Sequence, residues 1–460
     1  METQNIMDEI RGSLETILKF SGLDEEFCSS FRDAVTAYKK LSDKNGSDDQ
    51  AAGLRRKLTD LFYKVYKACF VLSVRNKTLP PVISMFLNFG YVDEELAGEE
   101  NAAYMYELAG ALPTDPERGV YSIYQWLMAI LRGEKEPSRN ELDMDYREYL
   151  ADQKKNGIIN AEQEANLAQN NAAKTIFELE NILPTINRLT FGQITIFCPV
   201  FSRHNVFKPL KSAIVTADKV TEEFTQIRRI DFKAFYRETL YADAEKGINE
   251  RIEVEVLPDL ILMPNTGARS IMWQEIEGKK RTTPARMMCS IFHMEELAQS
   301  LTHLTGEFRW EMCKRVQGGR WNDVSEPSLT SEYCDYIQFY RRNKELSAEA
   351  KEKIKNQLGR VRNSFKEMFV TDYIMWMRYE SGGSPRLNKV SRNILFAYCP
   401  FSKEIRNKVG VNPLYGPAIE KYNIMNSKNM HKMDILCKRL EKLPGGVPDE
   451  ILEYKSYMES

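Results

Sequence analysis

The fold class that the sequence predicts is mainly α-helical, with a small central α/β region, in a multi-domain chain. Three observations predict it. Apolar residues recur at three- and four-residue steps through most of the first 190 residues, and again beyond residue 283. Between about 191 and 282 that period gives way to short runs, mostly rich in β-branched residues. The composition, 43% hydrophobic and 28% charged over 460 residues, is that of a globular chain large enough for two or three domains. The expected organisation is an N-terminal helical domain at 1–190, a small α/β region at 191–282 and a C-terminal helical domain at 283–460.

The helical stretches come first in chain order. IMDEIRGSLETILKF, LTDLFYKVYKACFVLSV and VYSIYQWLMAIL each carry one apolar face. The loops SDKNGSDDQ (42–50) and ALPTDPERG (111–119) separate them. A long helix is expected from about Ala161, with Pro184 as a kink or stop. The strand candidates are ITIFCPVF (194–201), SAIVT (212–216), IEVEV (252–256) and LILMP (260–264). Helices resume at Thr283-Pro284, a capping residue followed by proline at the first helical position. HMEELAQSLTHLTGEFRWE (293–311) then reads as one helix. After the loop QGGRWNDVSEPS (317–328), helices are expected near 330–344 and 347–380. Ile354, Leu358, Val361, Phe365 and Met368 form the apolar stripe of the second, and SGGSPRLN (381–388) ends it. FGQITIFCPVFSR (191–203) and SRNILFAYCPFSK (391–403) echo one another, which is read as two similar buried segments ending at a proline turn.

Several function classes are disfavoured. The start METQNIMDEI is acidic where a secretory signal would be basic, and no uncharged stretch is long enough to span a bilayer. A cytoplasmic protein without a membrane span is therefore expected. The eight cysteines are scattered with no Cys-x-x-Cys pair, so free buried thiols are expected rather than disulfides or a zinc site. Net charge is −2 but uneven: residues 1–180 carry −10 and the remainder +8. The basic stretch 338–366 is interrupted by glutamates, which argues against nucleic acid and for a solvated face. There is no Gly-x-Ser-x-Gly nucleophile elbow and no Gly-x-Gly-x-x-Gly dinucleotide motif. Asp143-x-Asp145 reads as one exposed helix turn.

Two constellations remain. On the 293–311 helix, Glu296, His303 and Glu307 fall within about 20° of one line, at 100° per residue. Only His303 and Glu307 are one turn apart and able to share a divalent metal ion; otherwise they form an i, i+4 pair on an acidic face. The second constellation is the loop 381–393. Gly382 and Gly383 free backbone amides to turn toward an anion, and Arg386, Lys389 and Arg392 follow at three-residue steps. That loop is the candidate site for a phosphate or nucleotide. The stretch SLTSEYCDYIQFYRRNKELS (328–347) bears a faint likeness to uncharacterised bacterial chains over about a twentieth of the sequence, and identifies no family.

These readings favour a regulatory or protein-interaction module, with a protein partner and without a required cofactor. The alternative is an enzyme. One version is a metal-dependent hydrolase using His303 and Glu307, and the other a nucleotide- or phosphate-handling enzyme using the 381–393 loop.

Overall fold

Capping residues set the helix starts. Ser122, Asp145, Asn160 and Ser328 each accept the amide proton of the residue three positions on, and that residue's side chain accepts in return from the cap's own amide. Asp145 of the Asp-x-Asp pair is thus a helix cap. The computed structural model describes residues 13–459, apart from 44–47, 77, 92, 110–111, 141, 143, 191–207, 245–246 and 275–284. The predicted fold class holds: these residues are mostly helical, with one sheet of four strands and one of two. No helix among them is long and apolar enough to cross a membrane.

The described residues divide into two units, each built from non-consecutive segments. The first takes them from Met1–Val220, Asp259–Gln274 and Arg286–Leu297, and the second from Thr221–Pro258, Glu275–Ala285 and Ala298–Ser460. The sequence suggests three consecutive domains instead.

The first unit begins with α1 (Ser13–Ser21), α2 (Glu25–Asp43), α3 (Asp48–Ser73), α4 (Pro81–Phe89), α5 (Glu94–Ala97) and α6 (Glu99–Ala109). Strand β1 (Val120–Ser122) leads into α7 (Ile123–Leu131), followed by α8 (Tyr146–Lys155), α9 (Ala161–Ala168), α10 (Asn171–Thr190) and the short α11 (Leu210–Ala213). Its other strands are β4 (Asp259–Gly267), β5 (Ser270–Gln274) and β6 (Arg286–His293). The strand order is β1-β4-β6-β5; the first three run parallel and β5 is antiparallel. β4 and β6 are central and almost wholly buried, and α4 and α7 pack on β4. Pro264 cannot donate to a ladder, and the β4–β6 register shifts between Met263 and Thr266 to pass it. At the start of β6, Arg286 is buried, lies 4.6 Å from the Trp126 ring and donates to Ser138 Oγ at 2.6 Å. Ser138 in turn donates to the buried Glu178.

Helix α12 (Ala217–Ile230) enters the second unit, which continues with the hairpin β2 (Tyr236–Asp243) and β3 (Ile248–Glu255). Then come α13 (Leu297–Gln317), α14 (Leu329–Phe339), α15 (Ala348–Arg360), α16 (Phe365–Arg378), α17 (Lys389–Tyr398), α18 (Lys403–Val409), α19 (Gly416–Leu440) and α20 (Asp449–Met458). Aromatic packing dominates its core: Trp310, Tyr333, Phe369 and Tyr373 form one run, and Trp376 stacks on Phe401 at 3.8 Å. Gly306 sits where α13 meets α16; a Cβ there would come within 3.1 Å of the Tyr373 ring. The helix accepts the propensity cost of a glycine for that close approach. Asp231 is fully buried, accepts from Tyr373 Oη at 2.9 Å and lies 3.4 Å from Arg309 Nε. The Arg309 guanidinium also donates to the carbonyls of Lys233 and Tyr398. This set ties α13, α16 and α17 together.

Several expectations are corrected. Residues 286–293 are a strand, not the start of a helix, because RMMCSIFH is buried on both faces and so carries no helical period. Thr283 and Pro284 themselves lie outside the described residues. His293 ends that strand and the helix begins at Leu297, so 293–311 is not one helix and Glu296 precedes it. Leu210–Ala213 is a helical turn and only Ile214 makes a bridge, to Phe292, so SAIVT is not a strand. Strands also occur outside 191–282, at β1 and β6. The stretch 347–380 is two helices, broken where Arg362 and Asn363 take φ of 51° and 60° and Ser364 caps the next turn. β3 and β4 fall where expected, while ITIFCPVF lies outside the described residues.

Candidate functional site

In the second unit, α15, α16 and the 380–389 segment enclose an open cleft of about 330 Å³. That volume is within the range of small-molecule sites. Its walls carry Lys353 from α15, Asp372 and Met375 from α16, and Arg386, Asn388 and Lys389 from the loop; Glu345 and Glu349 stand on the exposed rim. Both α15 and α17 start on it, capped by Ser347 and Asn388, so two positive helix ends border the space.

The loop 381–393 handles its charges in two directions. Glu380 is fully buried behind it and accepts from the backbone amides of Arg386 at 2.6 Å and Leu387 at 2.7 Å. Arg392 completes the arrangement, donating from Nε to Glu380 Oε2 at 2.8 Å and from Nη2 to Oε1 at 3.2 Å. Burial opposes the charge on Glu380, but Arg392 and the Leu387 amide outweigh it and hold the carboxyl below its ordinary value. The anion that this turn binds is therefore one of its own side chains. Gly383, at φ 83°, and Gly382 make the turn and do not line the cleft. Arg392 is spent inside. Arg386 and Lys389 are exposed and do line it. The structure thus splits the five candidate residues, two on the cleft and three in its support.

The charges in the cleft are unequally matched. Lys389 pairs with Glu345 at 2.9 Å, both more than half exposed. Arg386 lies 5.5 Å from the Tyr379 ring and Lys353 Nζ reaches the Arg386 carbonyl at 3.4 Å, but neither forms an ion pair among the described residues. Asp372 is 4% exposed and accepts from Tyr333 Oη at 2.8 Å. It too forms no ion pair among the described residues. Burial raises its pKa to about 6, against the lowering effects of the Tyr333 hydroxyl and Lys353. Sequence reasoning missed Asp372 and Lys353. The signal for Asp372 is a lone acid in the apolar run MFVTDYIMWM; Lys353 carries none.

A smaller space of about 140 Å³ lies between the hairpin and α13, lined by Tyr236, Glu253, Arg309, Cys313 and Tyr398 among others. Its arginine is committed to Asp231 and two carbonyls, as above. Seven cysteines are described, all free. Burial pushes Cys69, Cys289, Cys334 and Cys399 up to about 12, the opposite of an activated thiol.

On α13, His303 Nδ1 lies 3.8 Å from Glu307 Oε2. Lys366 approaches the same carboxylates, at 3.9 Å from Glu307 and 3.3 Å from Glu311. A cation already serves this acidic face. Burial holds His303 below its ordinary value, although Glu367 acts in the other direction. Among the described residues no group of three His, Cys, Asp or Glu side chains is placed to hold a metal ion.

No curated protein and no solved structure matches the chain. Residues 318–457, which carry the whole cleft, match the model of a domain of unknown function, DUF8509.

Proposed function

We propose that the chain is a regulatory module whose second unit takes a small charged organic ligand in the cleft floored by Asp372. The observation that carries the reading is the meeting, in one small-molecule-sized space, of Lys353 and Arg386 without a carboxylate partner among the described residues. An anionic group entering there gains two charge-assisted contacts, each worth roughly 1.5–3 kcal/mol. Ligand occupancy then stabilises the packing of α15 against α16, because whatever binds only the folded unit raises its stability. A protein partner that reads this stability completes the regulatory role.

Calorimetric titration of the full chain with inorganic phosphate, AMP and small carboxylates tests it. Binding should be lost when Lys353 and Arg386 are both replaced by alanine. Unchanged binding in that variant would move the site elsewhere.

A second reading, an enzyme handling a phosphate ester or nucleotide, has one observation in its favour. A buried carboxyl raised to about 6 is suited to proton transfer near neutral pH. Release of product from AMP or a phosphate ester, absent in Asp372→Asn, would favour this reading over the regulatory one.

A further inference from the structure

The cleft holds charges of both signs that form no ion pair among the described residues. Lys353 and Arg386 have no carboxylate partner, and Asp372 has no cation within ion-pair distance among the described residues. A buried carboxylate without a counter-charge is costly. Other buried acids of this unit are treated differently: Glu380 has Arg392, and Asp231 has Arg309 close by. Asp372 is also the one of these three that lines a cleft open to solvent.

Resting on the reading of the cleft as a ligand site, we propose that its ligand is a small zwitterion, with an anionic end at Lys353 and Arg386 and a cationic nitrogen at Asp372. A purely anionic ligand would fill the basic end and bring negative charge toward a buried carboxylate. A purely cationic one would do the reverse. A molecule carrying both ends compensates Lys353, Arg386 and Asp372 at once. The Lys389–Glu345 pair at the rim is neutral as a unit and adds nothing to the preference.

Titratable and charged groups face Asp372 from each neighbouring element: Tyr333 and Tyr336 on α14, Lys353 on α15, and Glu380 behind the loop. Only Lys353 among them is a cation, and it belongs to the other half of the ligand site.

The test is calorimetric titration of the full chain with matched probes. They are glycine, β-alanine and 4-aminobutyrate as zwitterions, acetate and butyrate as the carboxylates alone, and butylamine as the amine alone. Inorganic phosphate and AMP serve as general anions. At least one zwitterion should bind about tenfold or more tighter than its single-charge analogues, the scale of one charge-assisted contact. Asp372→Asn should abolish that preference, leaving the zwitterion no better than the carboxylate. The variant's melting curve, run alongside, establishes that it is folded. Tyr333→Phe, which keeps the carboxylate, should retain the preference. If anions bind and need Lys353 but zwitterions gain nothing, the zwitterion proposal is overturned and the cleft stands as an anion site. If no probe binds, or binding ignores Lys353 and Arg386, both fall.

Discussion

Asp372 sits in the middle of α16 and Glu380 just beyond its C-terminal end, both nearly inaccessible to solvent, yet the protein treats them in opposite ways. Glu380 receives two backbone amides and a two-point contact from Arg392, and stays charged below the ordinary carboxyl range. Asp372 receives hydroxyls alone, from Tyr333 and Ser391, and no ion pair among the described residues; its pKa is raised to about 6. The difference separates support from function. A fully compensated carboxylate fixes the turn that forms one wall of the cleft, whereas an under-compensated one on the cleft floor remains responsive to protons and ligands.

The sharpest way to break this contrast is to remove Arg392. Arg392→Ala leaves Glu380 buried with two amides and no cation. Removing one partner of a buried pair costs about 3–5 kcal/mol, so a large fall in the denaturant midpoint is expected. A loss under about 1 kcal/mol would show that the pair is not supporting the turn.

Asp372→Asn should act with the other sign. The folded-state pKa of Asp372 is raised, so its proton is held more tightly in the folded chain. Its contribution to stability is full below about pH 4, the unfolded value, and is lost as pH rises through about 6. Two pH units correspond to at most about 3 kcal/mol. The asparagine variant should lack this component, and its carbonyl can still accept from Tyr333. Compared by urea denaturation between pH 4 and 7, it should gain on the wild type as pH rises. A constant difference across that window would contradict the raised value.

Lys389→Ala gives the smallest effect. Its partner Glu345 is exposed, and such pairs are worth about 0–1 kcal/mol. Stability should hardly change, and added salt should erase what difference there is. A loss of 2 kcal/mol or more would mean that the rim is part of the supporting structure, alongside Glu380.

The sequence was informative where one side of an element is wet. The amphipathic helices and the alternating β3 follow from periodicity for that reason. β6 was illegible because RMMCSIFH is buried on both faces, and a uniform apolar run has no period to read. The three-residue spacing of Arg386, Lys389 and Arg392 suggested one shared face. The helix begins only at Lys389, so Arg386 follows the loop outward while Arg392 turns inward to Glu380. The break at Arg362–Asn363 was hidden because neither residue is a glycine or proline that would mark it, yet both take left-handed backbone there. Asp372 stood in plain view, a charge inside an apolar run, but its significance depended on a cleft that no local pattern describes.

The strand order of the first unit bears on how the chain is made. β1 pairs with β4 across 140 positions, Val120 with Leu260, and β4 then pairs with β6, so the sheet is incomplete until His293 has been synthesised. At about 5–20 residues per second, β1 waits on the order of ten to thirty seconds for its neighbours. During that time the apolar residues of α4 and α7 that will cover β4 have nothing to cover. Such long-range parallel pairing folds slowly and leaves sticky surface exposed. A fragment ending near residue 190 should therefore aggregate on expression, whereas the discontinuous first unit, with its later strands supplied, has the pieces it needs to close.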